Sequence, residues 1–244
     1  MKIEFNDVSK MFDEESGLNN INLTIDRGII GLLGVNGAGK TTFLRLLTGL
    51  IIPREGEIII NKTHTNKKEF NLDRIGYISS EDDLPKSLTV NKFVKIYKYM
   101  NSEKKSKINA IAKLLNFKIT SKKKIKELST GMFQKLKICL ILGYDRDIYL
   151  LDEPTIGLDP VASKLLSDYL KQIANDKIII YASHILEDIA NLCNKVIVIK
   201  NNEIFKNEDV SNWDDLISKQ REIYYEYYEK NQNISDVLNE ADDD

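Results

Sequence analysis

One segment of this 244-residue chain has the residue types and the spacing of a phosphate-binding loop. Residues 34–41, GVNGAGKT, match the pattern G-x-x-x-x-G-K-[ST]. Glycines let backbone N–H groups turn toward an anion, the N-terminus of a following helix adds partial positive charge, and Lys40 adds a full one. The apolar run 29–33 predicts a buried strand before the loop, and residues 42–47 predict a helix after it. A chance glycine-rich loop is the alternative, but this order of elements favours a nucleotide triphosphate site.

Two adjacent carboxylates follow another apolar run, about a hundred residues later in the chain. Asp152 and Glu153 come directly after Ile-Tyr-Leu-Leu at 148–151. A buried strand that delivers acids at its tip needs a cation or a catalytic use for them, because burying an unpaired carboxylate is costly. Asp152 suits Mg²⁺ together with the hydroxyl of Thr41, and Glu153 suits a base that orients an attacking water. Alone, the pair would be better explained as solvated strand-end acids, and the phosphate loop reverses that preference.

The apolar periodicity of the rest of the chain predicts the elements that must position these residues. Residues 1–30 alternate at the strand period and predict an antiparallel edge, whereas from about 84 to 126 the period becomes helical. Further strand-like runs lie at 57–60, 75–78, 148–151, 178–182 and 196–199. Helical segments precede two of the later runs. The fold class predicted is α/β, with a mixed, mostly parallel sheet covered on both faces, an antiparallel β edge and an inserted helical subdomain.

The composition is that of an ordinary globular protein, with 42% hydrophobic and 30% charged residues. Thirty-five basic and 37 acidic side chains give a net charge of -2, so no overall positive field favours nucleic acid or anionic lipid. No apolar run approaches the roughly 18 residues that a membrane span needs, and the N-terminal residues lack a signal-peptide core. We expect Cys139 and Cys193 to be buried free thiols in a reducing compartment.

A short motif between the loop and the two acids indicates which phosphate-loop family the chain resembles. Residues 128–132 are LSTGM, and a Ser-x-Gly helix start is by itself an ordinary cap. LSTGM is, however, similar to the LSGGQ signature of ATP-binding cassette (ABC) ATPases, which precedes the Asp-Glu strand in that family. Residues 154–159, PTIGLD, resemble the family's D-loop, and residues 181–184, YASH, resemble its switch-histidine segment. The chain is identified as a member of the exporter-type ABC transporter ATPase subunits, over nearly its whole length to about residue 210.

The resemblance implies a domain organisation. One nucleotide-binding domain would span 1–220, with a RecA-like P-loop NTPase core at 1–80 and 146–220 and a helical subdomain at about 81–145. Residues 221–244 would form a C-terminal helical and acidic tail. Tyrosines at helical spacing in this tail predict a packed last helix, and the final three aspartates predict a solvated end.

The resemblance also implies roles for individual residues. Glu153 would orient the attacking water, and His184 would hold the γ-phosphate, although a lone histidine is more often a satisfied core residue. Mg²⁺ would contact Thr41 and Asp152, with Ser80 a further candidate ligand. ATP would be bound by nine residues that match the family's nucleotide positions: Phe12, Gly34, Asn36, Gly37, Ala38, Gly39, Lys40, Thr41 and Thr42.

Phe12 would stack on the adenine, with simple core packing as the alternative. In the family, two cassettes pair head to tail, so Ser129, Thr130 and Gly131 would complete the ATP site of a partner cassette in trans. Asp159 would be a contact between the two cassettes.

Two positions depart from the family pattern. Ser80 stands where the family usually has glutamine, and Glu81 follows it. A serine hydroxyl can meet magnesium but lacks the reach of a glutamine amide, so we hypothesise slower or differently coupled hydrolysis. Glu81 or a water could fill the gap, and a register shift could seat Glu81 there. Thr130 and Met132 replace Gly and Gln of the signature, while Ser129 and Gly131 are kept.

The function expected is that of an ATP-binding and hydrolysing subunit that powers a separate membrane permease from the cytoplasmic face of the cell membrane. Efflux is expected, for drug export, bacteriocin immunity or ion export, with ATP and Mg²⁺ as cofactors. The expected partners are the permease, docked near residues 79–86, and a second nucleotide-binding domain, identical or related; no nucleic acid is expected. The alternatives are a soluble cassette acting on nucleic acid or ribosomes, and a low-turnover regulatory cassette that Ser80 makes conceivable.

Overall fold

The computed structural model of the chain describes residues 1–13, 16–67, 70 and 72–209. The predicted tail at 221–244, with its tyrosines, and the expected domain end at 220 lie outside the described residues. Within the described part, no helix is both long enough and apolar enough to cross a membrane.

The strands and helices follow the order that the sequence predicts. The strands described are β1 (Ile3–Met11), β2 (Gly17–Ile25), β3 (Gly28–Leu33), β4 (Glu55–Ile60), β5 (Thr63–His64), β6 (Ile75–Ile78), β7 (Ile148–Asp152), β8 (Ile178–Ala182), β9 (Lys195–Lys200) and β10 (Glu203–Asp209). The α-helices described are α1 (Lys40–Leu47), α2 (Val90–Met100), α3 (Ile108–Leu114), α4 (Thr130–Leu142), α5 (Pro160–Ile173) and α6 (Leu186–Leu192). Short 3₁₀ turns lie at Leu72–Arg74, Ile125–Glu127 and Ala174–Asp176.

An antiparallel sheet is built from the N-terminal alternating segment, in the order β2-β1-β4-β5. Ile3 of β1 pairs with Ile25 of β2 on one side and with Ile60 of β4 on the other. Alternate side chains of β2 are buried, as the two-residue period requires for a sheet with one face on the core. The predicted antiparallel β edge is therefore present.

The main sheet has the order β10-β9-β3-β8-β7-β6, and all its strand pairs are parallel except β9 with β10. Every residue of β7 and β8 is buried, which explains why these strands read as continuous apolar runs. In β3 the side chains alternate, so that Ile29 and Leu33 join the core on one face, while Ile30 and Leu32 join the core against the antiparallel sheet. The predicted α/β fold with a mixed, mostly parallel sheet is confirmed.

The helical insertion lies between β6 and β7 and contains α2, α3 and α4. Its apolar faces pack into the core on the side of the sheet that holds Leu33. Cys139 of α4 and Cys193 are buried and free, as expected, and burial raises the pKa of Cys139 to about 12.

The parallel order brings several chain segments to one edge of the sheet. The phosphate loop follows β3, the two acids end β7, the switch histidine follows β8, and Ser80 follows β6. The carboxyl ends of parallel strands are where ligands bind in α/β folds. The fold therefore predicts a single site at this edge.

Candidate active site

The phosphate loop connects β3 to α1 and has the left-handed backbone that glycine provides. Gly37 has φ 85° and Gly39 has φ 107°. A Cβ at Gly39 would lie 2.5 Å from the carbonyl oxygen of Gly17, so this position also lacks room for a side chain. Gly39 is the N-cap of α1, whose first turn carries no acidic side chain. The first turn of α1 therefore adds no acidic side chain of its own at this helix N-terminus, which favours an anion there.

Lys40 lies across this loop and is almost completely buried. Its Nζ donates to the carbonyl oxygens of Gly34, at 2.7 Å, and Val35, at 3.2 Å. Burial lowers the pKa of Lys40, and the charges of Glu153 and Asp152 act in the opposite direction. Asn36 and Gly37 lie exposed at the tip of the loop, and Ala38 is buried beneath it. The loop therefore presents an ammonium group and backbone donors to the same small volume.

Asp152 forms the centre of a cluster of oxygen atoms next to α1. Its Oδ2 accepts a hydrogen bond from Thr41 Oγ1, at 2.9 Å, and another from Ser80 Oγ, at 3.0 Å. The aspartate is only 2% exposed. One carboxylate and two hydroxyls are the hard oxygen donors that Mg²⁺ prefers, and their convergence beside a phosphate loop fits this ion.

Glu81 does not share this cluster. Its carboxylate forms an ion pair with Arg45 of α1 instead. The backbone carbonyls of Ser79 and Glu81 both accept hydrogen bonds from the ammonium group of Lys137 in α4. Of the alternatives left open by the sequence, the structure places the Ser80 side chain, and not that of Glu81, on Asp152.

Glu153 turns away from Asp152 through a left-handed backbone conformation, with φ 49°. Its N–H donates to the carbonyl oxygen of Ala182 in β8, at 2.9 Å. Its carboxylate Oε1 lies 2.9 Å from Nδ1 of His184, while Oε2 is buried and has no hydrogen-bond partner in the described part of the chain. A buried carboxylate oxygen without a partner is costly unless a ligand or water uses it, which suits a base that orients water.

His184 is not a core residue, because half of its side-chain surface is exposed. Its ring lies on Glu153, with Nδ1 toward the carboxylate. The loop after Glu153 is tied to the segment after His184: Thr155 Oγ1 donates to Asp188 of α6 at 2.9 Å, and the Tyr181 hydroxyl donates to the same carboxylate at 3.2 Å. These contacts fix the relative position of glutamate and histidine.

The signature residues lie at the start of α4, on a different surface. Ser129 is the N-cap of this helix, and its Oγ accepts a hydrogen bond from the N–H of Met132 at 3.3 Å. Ser129 and Thr130 are exposed. A Cβ built on Gly131 would lie 2.2 Å from the carbonyl oxygen of Gly157, so the helix start packs directly against the loop that resembles the D-loop.

Asp159 and Phe12 are also placed clearly. Asp159 is exposed, caps α5 by accepting from the N–H of Ala162 at 2.9 Å, and pairs with Lys135 at 3.1 Å. Phe12 is 59% exposed, with the ammonium group of Lys10 lying 5.6 Å from its ring centroid. Core packing is thus wrong for Phe12, and its ring is available to a ligand.

Sequence reasoning missed three polar residues that organise this site: Lys137, Arg45 and Asp188. Lys137 had a visible signal, because it interrupts the apolar run LKICLIL of a helix that is otherwise suited to burial. Arg45 and Asp188 gave none, since exposed helical positions commonly carry charge.

Comparison with known proteins identifies the family. A family model described as ABC transporter matches residues 18–156, which is more than half of the chain. The chain belongs to the ABC transporter family. It is an ATP-binding subunit of that family and an ATPase.

Two curated relatives show how far the similarity of this ABC transporter subunit extends. The bacitracin transport ATP-binding protein BcrA of Bacillus licheniformis is 33% identical over 98% of this chain and 78% of that protein. The Nod factor export ATP-binding protein I of Burkholderia lata is 34% identical over 81% of this chain and 67% of that protein. A solved ATP-binding subunit of an ABC transporter has a TM-score of 0.78, at 24% identity, and covers 93% of this chain and 99% of that one. This last likeness supports the fold.

Proposed function

We propose that the chain hydrolyses ATP with Mg²⁺ to power a separate permease that exports its substrate. The observation that carries the catalytic part is the buried, partnerless Oε2 of Glu153, in a carboxylate whose other oxygen is held by His184. This oxygen lies at the sheet edge that also presents the phosphate loop and Asp152. A base, an anion cradle and a cluster of oxygen ligands are the parts that phosphoryl transfer to water needs.

In the proposed reaction, the backbone N–H groups of residues 34–41 and the ammonium group of Lys40 bind the β- and γ-phosphates. Thr41 and Asp152, with Ser80 as a further ligand, would hold Mg²⁺, and the ion would supply positive charge that neutralises the phosphates. Glu153 Oε2 accepts a hydrogen bond from the attacking water, and His184 orients the glutamate and holds the γ-phosphate. The water oxygen bonds to the γ-phosphorus as the bond to the β-phosphate oxygen breaks, giving ADP and phosphate.

We further propose that a second cassette completes each site. Within the described residues, no hydrogen bond or ion pair joins Ser129, Thr130 or Gly131 to the phosphate loop. Ser129 caps a helix N-terminus that faces outward, which suits the γ-phosphate of ATP bound to another cassette. Asp159 lies near this surface and is a contact in the proposed pair. An identical chain and a related one would both give the same half-sites.

Transport and its direction rest on the relatives. The names of BcrA and of the Nod factor protein assign them to bacitracin transport and Nod factor export. We therefore favour export and a position on the cytoplasmic face of the membrane, with the permease in a separate chain. The proposed division of the chain is a nucleotide-binding core at 1–80 and 146–220 and a helical subdomain at about 81–145.

Copurification with the Glu153→Gln variant tests this function. The variant should keep ATP and hold the cassette pair closed, so that a tagged chain recovers a membrane permease from detergent extracts when ATP is present. Wild type in ADP is the matched control and should recover less. Recovery of nucleic acid or ribosomes without any membrane protein would contradict the transporter proposal.

A steady-state assay of phosphate release separates the proposed enzyme from a regulatory cassette. Turnover that depends on ATP and Mg²⁺, and that Glu153→Gln abolishes, supports the proposal. Tight ATP binding without release of phosphate would support the regulatory alternative.

A further inference from the structure

Lys137 is a buried lysine inside the helix that begins at the signature. Only 5% of its surface is exposed, and it lies between the buried residues Leu136 and Ile138. Buried lysines are rare because removing an ammonium group from water is costly unless its three donors are used. Lys137 therefore has a specific role in the fold or in the site.

The partners of Lys137 lie on both sides of one functional residue. Its Nζ donates to the carbonyl oxygen of Ser79 and, at 3.1 Å, to that of Glu81. Ser80 lies between these two carbonyls, and its side chain points to Asp152. The ammonium group of Lys137 thus binds the backbone on both sides of the candidate metal ligand. We call this pair of hydrogen bonds the Lys137 grip.

Because the serine side chain is short, the backbone at Ser80 must be held close to Asp152, and the Lys137 grip provides this. A glutamine could reach Asp152 from a distant backbone, whereas the serine oxygen is attached directly to Cβ, so the backbone itself must be held close. Arg45 of α1 also binds this segment, through the Glu81 carboxylate. The N–H of Glu81 also donates to Ser79 Oγ at 2.9 Å, which tightens the turn around Ser80.

We propose that Lys137 is a positioning residue that holds Ser80 on Asp152 and thereby sets the Mg²⁺ requirement of ATP binding. The proposal rests on the magnesium site of the proposed function. The same hydrogen bonds connect α4, the helix that begins at the signature, to the candidate Mg²⁺ ligands Ser80 and Asp152 within one chain. A displacement of α4 would be transmitted through Lys137 to Ser80.

The test measures ATP binding in a Glu153→Gln background, where hydrolysis does not interfere. A fluorescent ATP analogue is titrated at a series of Mg²⁺ concentrations with and without Lys137→Met, which keeps an unbranched side chain as far as Cε but removes the ammonium group. We expect the Mg²⁺ concentration for half-maximal binding to rise about tenfold, the change for one lost ligand-positioning contact of about 1.4 kcal/mol. Binding without Mg²⁺ should be unchanged. Lys164→Met, which removes an exposed lysine of α5, is the control and should leave the Mg²⁺ requirement unchanged.

A double-mutant cycle with Ser80→Ala separates positioning from general stability. If Lys137 acts through Ser80, the methionine variant should cause no further shift once the serine hydroxyl is gone. An equal tenfold shift in the Ser80→Ala background, or no shift in either background, would overturn the proposal. If Lys137→Met does not fold, Lys137→Gln repeats the cycle with one amide donor retained, and the same two results decide.

Hydrogen exchange gives a readout that needs no nucleotide. Backbone amides in peptides covering 77–83 should exchange faster in Lys137→Met than in wild type, while peptides of β7 stay protected. Unchanged exchange at 77–83 would contradict the grip itself. If wild-type ATP binding proves independent of Mg²⁺ while exchange at 77–83 is faster in Lys137→Met, the proposed magnesium site is wrong. The Lys137 grip on the backbone around Ser80 is then still supported.

Discussion

The phosphate-loop region and the signature region both carry motifs of the ABC transporter family, but their residues are held in place in different ways. At the phosphate loop, side chains from separate segments of the chain contact one another, as Asp152 does with Thr41 and Ser80 and as Glu153 does with His184. At the signature, Ser129 and Thr130 are exposed, and the main contact of Gly131 is with a neighbouring backbone. The first region is organised from within the chain. The second is an exposed surface, which we propose a second cassette uses.

Glycine has a different purpose in each region. Gly37 is required for its conformation, since its φ is 85° and nothing lies within 4 Å of a Cβ built there. Gly131 is not among the positive-φ residues, and it is required for space, because a Cβ would approach Gly157 O to 2.2 Å. The same residue type therefore supports an anion-binding turn in one region and a close backbone packing in the other.

The largest effect is expected from Glu153→Gln, a change in the phosphate-loop region. The amide keeps the size of the side chain but cannot accept a proton, so turnover should fall by at least about a hundredfold. ATP binding should be retained, because the phosphate loop is untouched. Phosphate release and ATP binding are measured on the same preparation, with Glu187→Gln, an exposed acid of α6, as the control. Near-normal turnover would remove Glu153 from its proposed role.

The two glycines give a paired test of the comparison. Gly131→Ala should lower the free energy of unfolding by about 2–3 kcal/mol, because the backbone of residue 157 cannot move away cheaply. Gly37→Ala should cost about 1 kcal/mol, the strain of a left-handed alanine in open space. Both values come from denaturant unfolding without nucleotide. Equal losses, or a larger loss for Gly37→Ala, would show that the two glycines do not differ in the way described.

Local sequence was enough for the elements that carry the site. The apolar run before the phosphate loop became β3, and the run ending in Asp152 became β7, because buried parallel strands have a continuous apolar pattern. The antiparallel edge and the helical insertion followed from the change of period. These predictions depended on neighbours in sequence, where periodicity is informative.

Contacts between distant residues could not be predicted in this way. Lys137 donates a hydrogen bond to Ser79, 58 positions away in the sequence, and hydrophobic periodicity cannot predict such a contact. The choice between Ser80 and Glu81 depended on Arg45, which captures the glutamate from α1. Phe12 was left open because an aromatic residue in a strand pattern suits both core and ligand, and only the fold decides its exposure.

Phe12→Ala should produce a smaller effect, confined to the phosphate-loop side of the comparison. The ring is exposed, so its loss should leave the stability of the fold unchanged but weaken ATP binding by about tenfold, as expected for one lost base-stacking contact. Phe205→Ala is the matched control, because Phe205 is also half exposed with a lysine ammonium group at 5.3 Å from its ring. Equal weakening by both variants, or none by Phe12→Ala, would contradict adenine stacking.

The smallest effect is expected from Ser80→Gln. This variant tests the connection that Lys137 makes between the signature helix α4 and the phosphate-loop region. Ser80 is exposed, so a longer side chain has room, and the glutamine amide could reach the metal side without relying on the backbone grip of Lys137. Turnover should rise roughly twofold to fivefold, which corresponds to a barrier lowered by less than about 1 kcal/mol. Steady-state phosphate release measures this, and Ser80→Ala should lower turnover under the same conditions. Turnover that is unchanged or reduced by glutamine would mean that serine does not limit hydrolysis, because the grip of α4 on Ser80 already supplies the positioning that a longer side chain would provide.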